Sequence, residues 1–194
     1  MKEMNRNCIM SLVACVALLG TAVQADDLAA HADITFTGSS TLHDFEGRVS
    51  SKPFTAVFAE DQQTGKMTVT ARTTVSVRDI TTDNGKRDKN MYTMFDLDHF
   101  KLIEGALLNA AVAENAVSHA MLHLKIRNVE QDIEAALSNL KRAGDSFTCT
   151  MTFPVSLADF NLKAPSVLGV IRVDDVVQVE CTVTGKITDP AEGE

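Results

Sequence analysis

Between Lys66 and Arg78 the sequence runs Lys-Met-Thr-Val-Thr-Ala-Arg-Thr-Thr-Val-Ser-Val-Arg, which sets Met67, Val69, Ala71, Val75 and Val77 on one side of an extended chain and polar groups on the other. Side chains alternate with a period of two along a strand, so this segment reads as a long half-buried β-strand. The pattern returns twice near the C-terminus: Phe147, Cys149, Met151, Phe153 and Val155 share one face, and Val177, Val179, Cys181, Val183 and Ile187 share another. An antiparallel sheet with one wet face needs an apolar partner for its dry face. If the sheet curls and closes, that partner is its own interior, occupied by side chains or by a ligand. The expected class is therefore all-β, an antiparallel barrel. Its lumen candidates are Met67, Val69, Val75, Phe147, Met151, Phe153, Val177 and Val179, residues that also suit a solidly packed core.

The first residues belong to a different kind of segment. Lys2 and Arg6 precede an apolar run from Cys8 to Val23, and Val23-Gln24-Ala25 supplies small residues before Asp26. This is the pattern of a cleaved secretory signal over residues 1–25, and it implies a periplasmic or secreted protein. The run is shorter than the ~20 apolar residues of a spanning helix. Leu12-Val13-Ala14-Cys15 also resembles a lipobox, which would leave a lipidated Cys15 at the mature N-terminus. Residues 26–194 are read as a single domain, with no repeat, proline-rich linker or low-complexity tract.

The formal net charge of the chain is −8, and only Lys86, Arg87 and Lys89 cluster as cations. Nucleic acids and strongly anionic surfaces need positive charge to displace counterions, so neither is expected as a stable partner, although transient membrane contact is compatible with the composition. With no Trp and the single tyrosine Tyr92, the chain lacks the aromatic girdles of an outer-membrane barrel. A water-facing barrel with its apolar side inward is the consistent reading.

Punctuation along the chain fits short connections. Gly38-Ser39-Ser40-Thr41 interrupts a first strand carrying Ile34 and Phe36, and Phe54, Ala56 and Phe58 alternate before a turn at Asp61-Gln62-Gln63-Thr64-Gly65. After a turn at Asp83-Asn84-Gly85, Asp88 is expected to cap a short helix to Phe95 whose Met91, Met94 and Phe95 share a face and plug one barrel end. From Leu102 to Leu140 the signals conflict. The alanines favour helix on propensity, whereas Leu122, Leu124 and Ile126 alternate with His123, Lys125 and Arg127. Strands are preferred because tertiary context overrides propensity in a chain otherwise so strongly β.

Candidates for chemistry are sparse. His119 and His123 are four apart, but Ala120 follows His119, so the zinc-protease pattern is missing. On a strand the two would lie roughly 13 Å apart on a solvated face, too far for one metal. His43 beside Asp44, with Ser39, Ser40 and Thr41 upstream, points to a hydrogen-bonded turn or bulge, since neighbours on a strand face opposite ways. No cofactor is implied, and the chain is read as a non-enzyme. Cys149 and Cys181 sit on the apolar faces of two strands expected to be neighbours, which makes them a possible disulfide or two buried thiols.

Two elements carry a family resemblance. Arg87-Asp88-Lys89-Asn90-Met91 after the long alternating strand, and Val155-Ser156-Leu157-Ala158-Asp159-Phe160-Asn161-Leu162-Lys163 before the final Val176 to Lys186 strand, resemble the YceI-like family of exported bacterial proteins over roughly Asp33 to Ile187. That resemblance implies an extended lipocalin-like barrel of about eight strands and a binder or carrier of an amphiphilic, apolar molecule such as a polyisoprenoid or quinone-like lipid. The sequence departs from the commoner family pattern at the compressed His43-Asp44-Phe45-Glu46-Gly47 and at Phe100-Lys101, where Tyr-Pro is usual, which marks a divergent branch. The rival expectation is a structural or interaction module with a packed barrel and functional rim loops. The oligomeric state is not legible in the sequence.

Overall fold

An exposed strand edge is an open template for aggregation and has to be paired or covered. Here the sheet closes on itself. The computed structural model describes residues 23–61, 63–112, 116–164, 166–167 and 171–187. Its elements are β1 (Val23–Gly38), β2 (Phe45–Ser50), β3 (Phe54–Asp61), β4 (Met67–Ser76), α1 (Gly85–Phe95), β5 (Leu102–Val112), β6 (Ser118–Ile126), β7 (Val129–Ala143), β8 (Ser146–Ser156), the short pair β9 (Ser166–Val167) and β10 (Ile171–Arg172), and β11 (Val176–Ile187). Most of the leader-like segment, residues 1–22 with Cys15, lies outside the described residues.

The large sheet is antiparallel, in the order β11-β8-β7-β6-β5-β4-β3-β1-β2, and β1 also pairs with β11, so the sheet closes on itself. β2 and β3 together form one wall position. β3 lies along the first half of β1, from Val23↔Asp61 to Ala30↔Phe54, and β2 along the second, from Asp33↔Ser50 to Gly38↔Phe45. The result is a closed eight-stranded antiparallel barrel with one short helix, as expected. The long segment with helical propensity, Leu102 to Leu140, is β5, β6 and most of β7.

Local chemistry explains the irregularities. Pro53 has no N–H for a ladder, and at this point Ser51-Lys52-Pro53 faces only His31 and Ala32, a bulge that splits β2 from β3. Ser51 repairs the gap: its Oγ accepts the Ala32 amide at 2.9 Å and its own amide donates to the Ala32 carbonyl at 2.8 Å. Further register shifts fall in β5, between Val69↔Ala110 and Ala71↔Leu107, and in β7, between Ser138↔Thr150 and Lys141↔Thr148, where Asn139 has φ +54°. Tight hairpins close β6 to β7 through Arg127-Asn128 and β7 to β8 through Gly144-Asp145. Gly144 supplies positive φ at the first loop position.

Inside, the barrel is packed toward the end where β3 meets β4 and β7 meets β8. Leu28, Phe58, Val69, Leu107, Leu140 and Phe147 are buried together, with the Phe58 and Phe147 ring centroids 5.6 Å apart. Toward the opposite end a second cluster, including Val75, Leu124, Ile126, Phe153 and Val155, packs against Met91 and Phe95 of α1. The helix thus closes over one end, as its apolar spacing predicts.

Its anchoring differs from expectation in one respect. Asn84, not Asp88, is the N-cap: its side chain accepts the amides of Lys86 at 3.2 Å and Arg87 at 3.1 Å. Asp88 stands a full turn further on, buried at 9 % exposure, where its carboxylate accepts the Thr82 amide at 2.8 Å, the Thr82 hydroxyl at 2.6 Å and the Thr81 hydroxyl at 3.0 Å. Asp88 therefore pins the preceding loop to the helix. The Tyr92 hydroxyl adds a second anchor, lying 2.9 Å from the carbonyls of both Arg78 and Ile80. The loop is in turn stitched to the wall by backbone hydrogen bonds between Arg48 and Thr81 and by the bidentate ion pair of Arg48 with Asp83.

Burial by itself pushes the Asp88 carboxyl up, but the donors on Thr82 and Thr81 outweigh it and hold the group below its ordinary value. A carboxylate with a lowered folded value contributes stability above the ordinary carboxylate range, near pH 4, and loses it as pH falls through the folded value. Asp88→Ala leaves three donors without their acceptor and is expected to cost on the order of 2 kcal/mol. Denaturant unfolding at neutral pH checks this, and the gap between wild type and variant should narrow in acid.

Candidate functional site

The lumen contains two cavities in series. The upper one, about 440 Å³, lies beneath α1. Its walls come from nearly every strand, with Ile34 and Phe36 on β1, Val49 on β2, Val75 on β4, Ile103 on β5, Leu124 and Ile126 on β6, Phe153 and Val155 on β8, and Val177 and Val179 on β11. Met91, Met94 and Phe95 form the helical roof. The lower one, about 130 Å³, is lined by Ala56, Val69, Ala71, Thr73, Leu107, Leu137, Phe147, Cys149, Met151 and Cys181, among others.

Glycine makes the upper room possible on one wall. Gly47 faces Phe36 and Gly38 faces Phe45 across the β1–β2 ladder. A Cβ on Gly47 would sit 2.2 Å from the Phe36 ring, and one on Gly38 2.5 Å from the Phe45 ring. Each ring thus lies flat over its glycine, a way of filling the missing side-chain volume. Phe45 also carries the Arg87 guanidinium over its face at 4.9 Å, which ties the start of β2 to α1.

The upper cavity changes character at its rim. Leu42, His43 and Lys86 are exposed and still line it, so the cavity communicates with solvent. Asn84, Arg87 and Asn90 join them, giving a polar and partly cationic mouth over an apolar interior. Ser40 does not address the imidazole: its Oγ donates to the His43 carbonyl at 2.7 Å and accepts the His43 amide at 3.4 Å. That is the hydrogen-bonded turn read from the sequence.

A family model for the YceI-like domain matches residues 26–185. The chain belongs to the YceI-like family. No curated protein matches it. Among solved structures, it is similar to a polyisoprenoid binding domain from Saccharophagus degradans implicated in plant cell wall breakdown, with TM-score 0.61 and 14% identity over 83% of this chain and 99% of that one. It is also similar to Burkholderia cenocepacia BcnA, with TM-score 0.62 and 14% identity over 79% and 95% of the two chains. The Campylobacter jejuni YCEI protein gives TM-score 0.54 and 12% identity over 97% and 100%. At these identities the likeness is one of fold.

In this YceI-like barrel the lumen candidates divide between the cavities. Val75, Phe153, Val177 and Val179 line the upper one, while Val69, Phe147 and Met151 line the lower one, together with Val75 and Phe153. Met67 lines neither. As the first residue of β4 it sits partly buried against the packed end, beyond the last open space. Sequence reading missed the walls from Val49, Ile103 and Leu124 and the rim from Phe45, Lys86 and Asn90. The apolar periods at 102–126 held part of that signal, but alanine content masked it.

His119 and His123 lie on the outer face of β6, paired to carboxylates: His119 Nδ1 is 3.1 Å from Glu134, and His123 Nδ1 is 2.8 Å from Asp132. Among the described residues no three His, Cys, Asp or Glu side chains are grouped to hold a metal.

Cys149 and Cys181 are buried on neighbouring strands, but as free thiols. The disulfide expected as one option is absent, and the register gives the reason. Cys149 stands opposite Val183 and Cys181 opposite Met151, so the two are diagonal neighbours. Diagonal Cα atoms lie roughly 7–8 Å apart, beyond the usual disulfide span. Burial pushes Cys149 up to about 11 and Cys181 up to about 12. Thiolate is the reactive form, so in protein lacking residues 1–22 neither thiol should react with Ellman's reagent at pH 8, and two should titrate after denaturation without reductant.

Proposed function

We propose that this YceI-like protein binds or carries an amphiphilic molecule with a long apolar tail, a polyisoprenoid or quinone-like lipid, in the periplasm. The observation that carries the reading is the upper cavity, about 440 Å³, apolar on its walls and polar at its mouth. Its volume falls within the range of small-molecule sites, and a dry interior with a few polar groups at one end is how such sites orient a ligand. The tail lies among Phe36, Val75, Phe153, Val177 and Val179, and the head stays near Asn84, Lys86 and Asn90. The Saccharophagus degradans domain, described as polyisoprenoid binding, adds a relative of the same fold. The leader-like residues 1–25 support export, and residues 26–194 form the mature domain in this account.

Burial of each methylene-sized group contributes about 0.8 kcal/mol, so one five-carbon unit gives about 4 kcal/mol gross and three give about 12 kcal/mol. Association costs offset several kcal/mol of this. What remains is near the ~8 kcal/mol of a micromolar complex, reached without any special polar contact. Catalysis has no role in this account, because the rim serine and histidine are joined through the backbone rather than as a nucleophile and its base.

Titration of the purified protein with a fluorescent isoprenoid analogue should give saturable binding in the micromolar range. Val179→Glu places a carboxylate in the lumen, where an unpaired charge is costly, and should abolish binding. A melting curve of the variant separates loss of the site from loss of the fold. No saturable binding to the folded wild type would overturn the reading.

A further inference from the structure

The upper cavity differs in charge from the chain around it. The sequence has 26 acidic and 18 basic residues, yet no aspartate or glutamate lines this cavity, whereas Lys86 and Arg87 do. With Lys89 they make up the cation cluster of the sequence, and they sit in the first turn of α1. A helix favours anions at that end and disfavours cations, so helix stability does not account for them. The nearby carboxylates are engaged elsewhere. Asp83 is held by Arg48 at 2.6 and 2.8 Å, and Asp88, which feels the Arg87 charge, is bonded to the donors of Thr81 and Thr82. Asp44, Glu46 and Asp174 line a separate depression that shares only Phe45 with the cavity. The Phe45 ring, 4.9 Å from the Arg87 guanidinium, positions that charge without neutralising it. Lys86 is exposed at the mouth.

We infer that this mouth selects an amphiphile with an anionic head, a phosphate or a carboxylate, over one with a neutral head. The inference rests on the lipid-binding reading and narrows its ligand class. A tail in the apolar interior leaves its head beside Lys86, Arg87 and Asn90. Asn84 adds to the donors there, because its side-chain oxygen already accepts the Lys86 and Arg87 amides and the rest of its amide offers only N–H. Hydrogen bonds between ionised partners are roughly twice as strong as neutral ones. The low-dielectric walls of a cleft also concentrate the field of the charges at its mouth. A hydroxyl or carbonyl head can accept from the same donors but gains no attraction between opposite charges. With a net charge of −8, the chain as a whole repels an anion, so the local cations decide where one can settle.

The test is displacement of the fluorescent isoprenoid analogue by three ligands that share one tail: an isoprenoid alcohol, its monophosphate and the matching carboxylic acid, each kept below its aggregation concentration. At low salt the wild type should favour one or both anions over the alcohol by about tenfold, and whichever anion leads identifies the head. That preference should shrink in ~1 M salt, where charges are screened within about 3 Å. Lys86→Glu should remove the preference yet melt no lower than the wild type, because an acidic side chain suits the first turn of a helix, and this separates loss of head recognition from loss of the fold. Lys141→Gln removes the same charge from the exposed surface near the β7–β8 turn, at the opposite end of the barrel, and should keep the preference. Inorganic phosphate at matching concentrations should leave the analogue in place, and displacement by it would assign the mouth to the free anion instead. Equal affinities for alcohol and anions in the wild type, or a preference undiminished in Lys86→Glu, would overturn the anionic head while leaving lipid binding intact. No binding of any of the three would instead strike at the lipid-binding reading itself.

Discussion

Pairing of β1 with β11, from Leu28↔Ile187 to Thr37↔Gln178, closes the large sheet on itself, and each inward residue then faces other inward residues across a shared lumen. This constraint turns three amphipathic strands into a container. Without closure, the apolar faces of β4, β8 and β11 would each need a separate cover. With it, the same residues supply one another's environment, and any space they fail to fill lies inside the molecule. The remaining question at each level of the lumen is how completely side-chain volume fills the bore.

The answer differs between the two ends. Near the packed end, Phe58, Leu107, Leu140 and Phe147 meet in the middle. Near the other end the lumen is wider, and α1 covers it without filling it. The helix holds this position through polar bonds, because its N-cap Asn84, the buried carboxylate of Asp88 and the hydroxyl of Tyr92 are bonded to the chain between Arg78 and Arg87. That loop is in turn bonded to β2 through Arg48. A roof fixed by hydrogen bonds to its own connecting loop can stand over empty apolar space, whereas a roof held only by packing would settle into it.

Much of this was legible in the sequence because alternation is a local property. The strands around Val69, Met151 and Val179 announce themselves, and the Met91, Met94 and Phe95 spacing announces the roof. The conflict at 102–140 was resolved by context, since alanine's helical preference amounts to a few tenths of a kcal/mol per residue and a closing sheet overrides it. Other features depend on register and were hidden. Whether Cys149 faces Cys181 or Val183, and whether Met67 reaches open lumen, depends on how far each strand slides past the next, and the bulges in β5 and β7 set that slide. At Asn84 the turn signal Asp-Asn-Gly hides the cap, because the same side chain that makes an Asx turn also caps a helix.

A lumen that holds a lipid tail in the protein's own setting differs from a core with imperfect packing in what it carries through purification. Native mass spectrometry of protein expressed as the full chain and isolated without detergent addresses it directly. Lipid binding predicts a bound species heavier than the bare chain, released by organic solvent as a molecule with an isoprenoid or comparable apolar tail, and lost in the Val179→Glu variant. Bare chain alone, from folded protein that also takes up no tail when lipid extract is added, would contradict it.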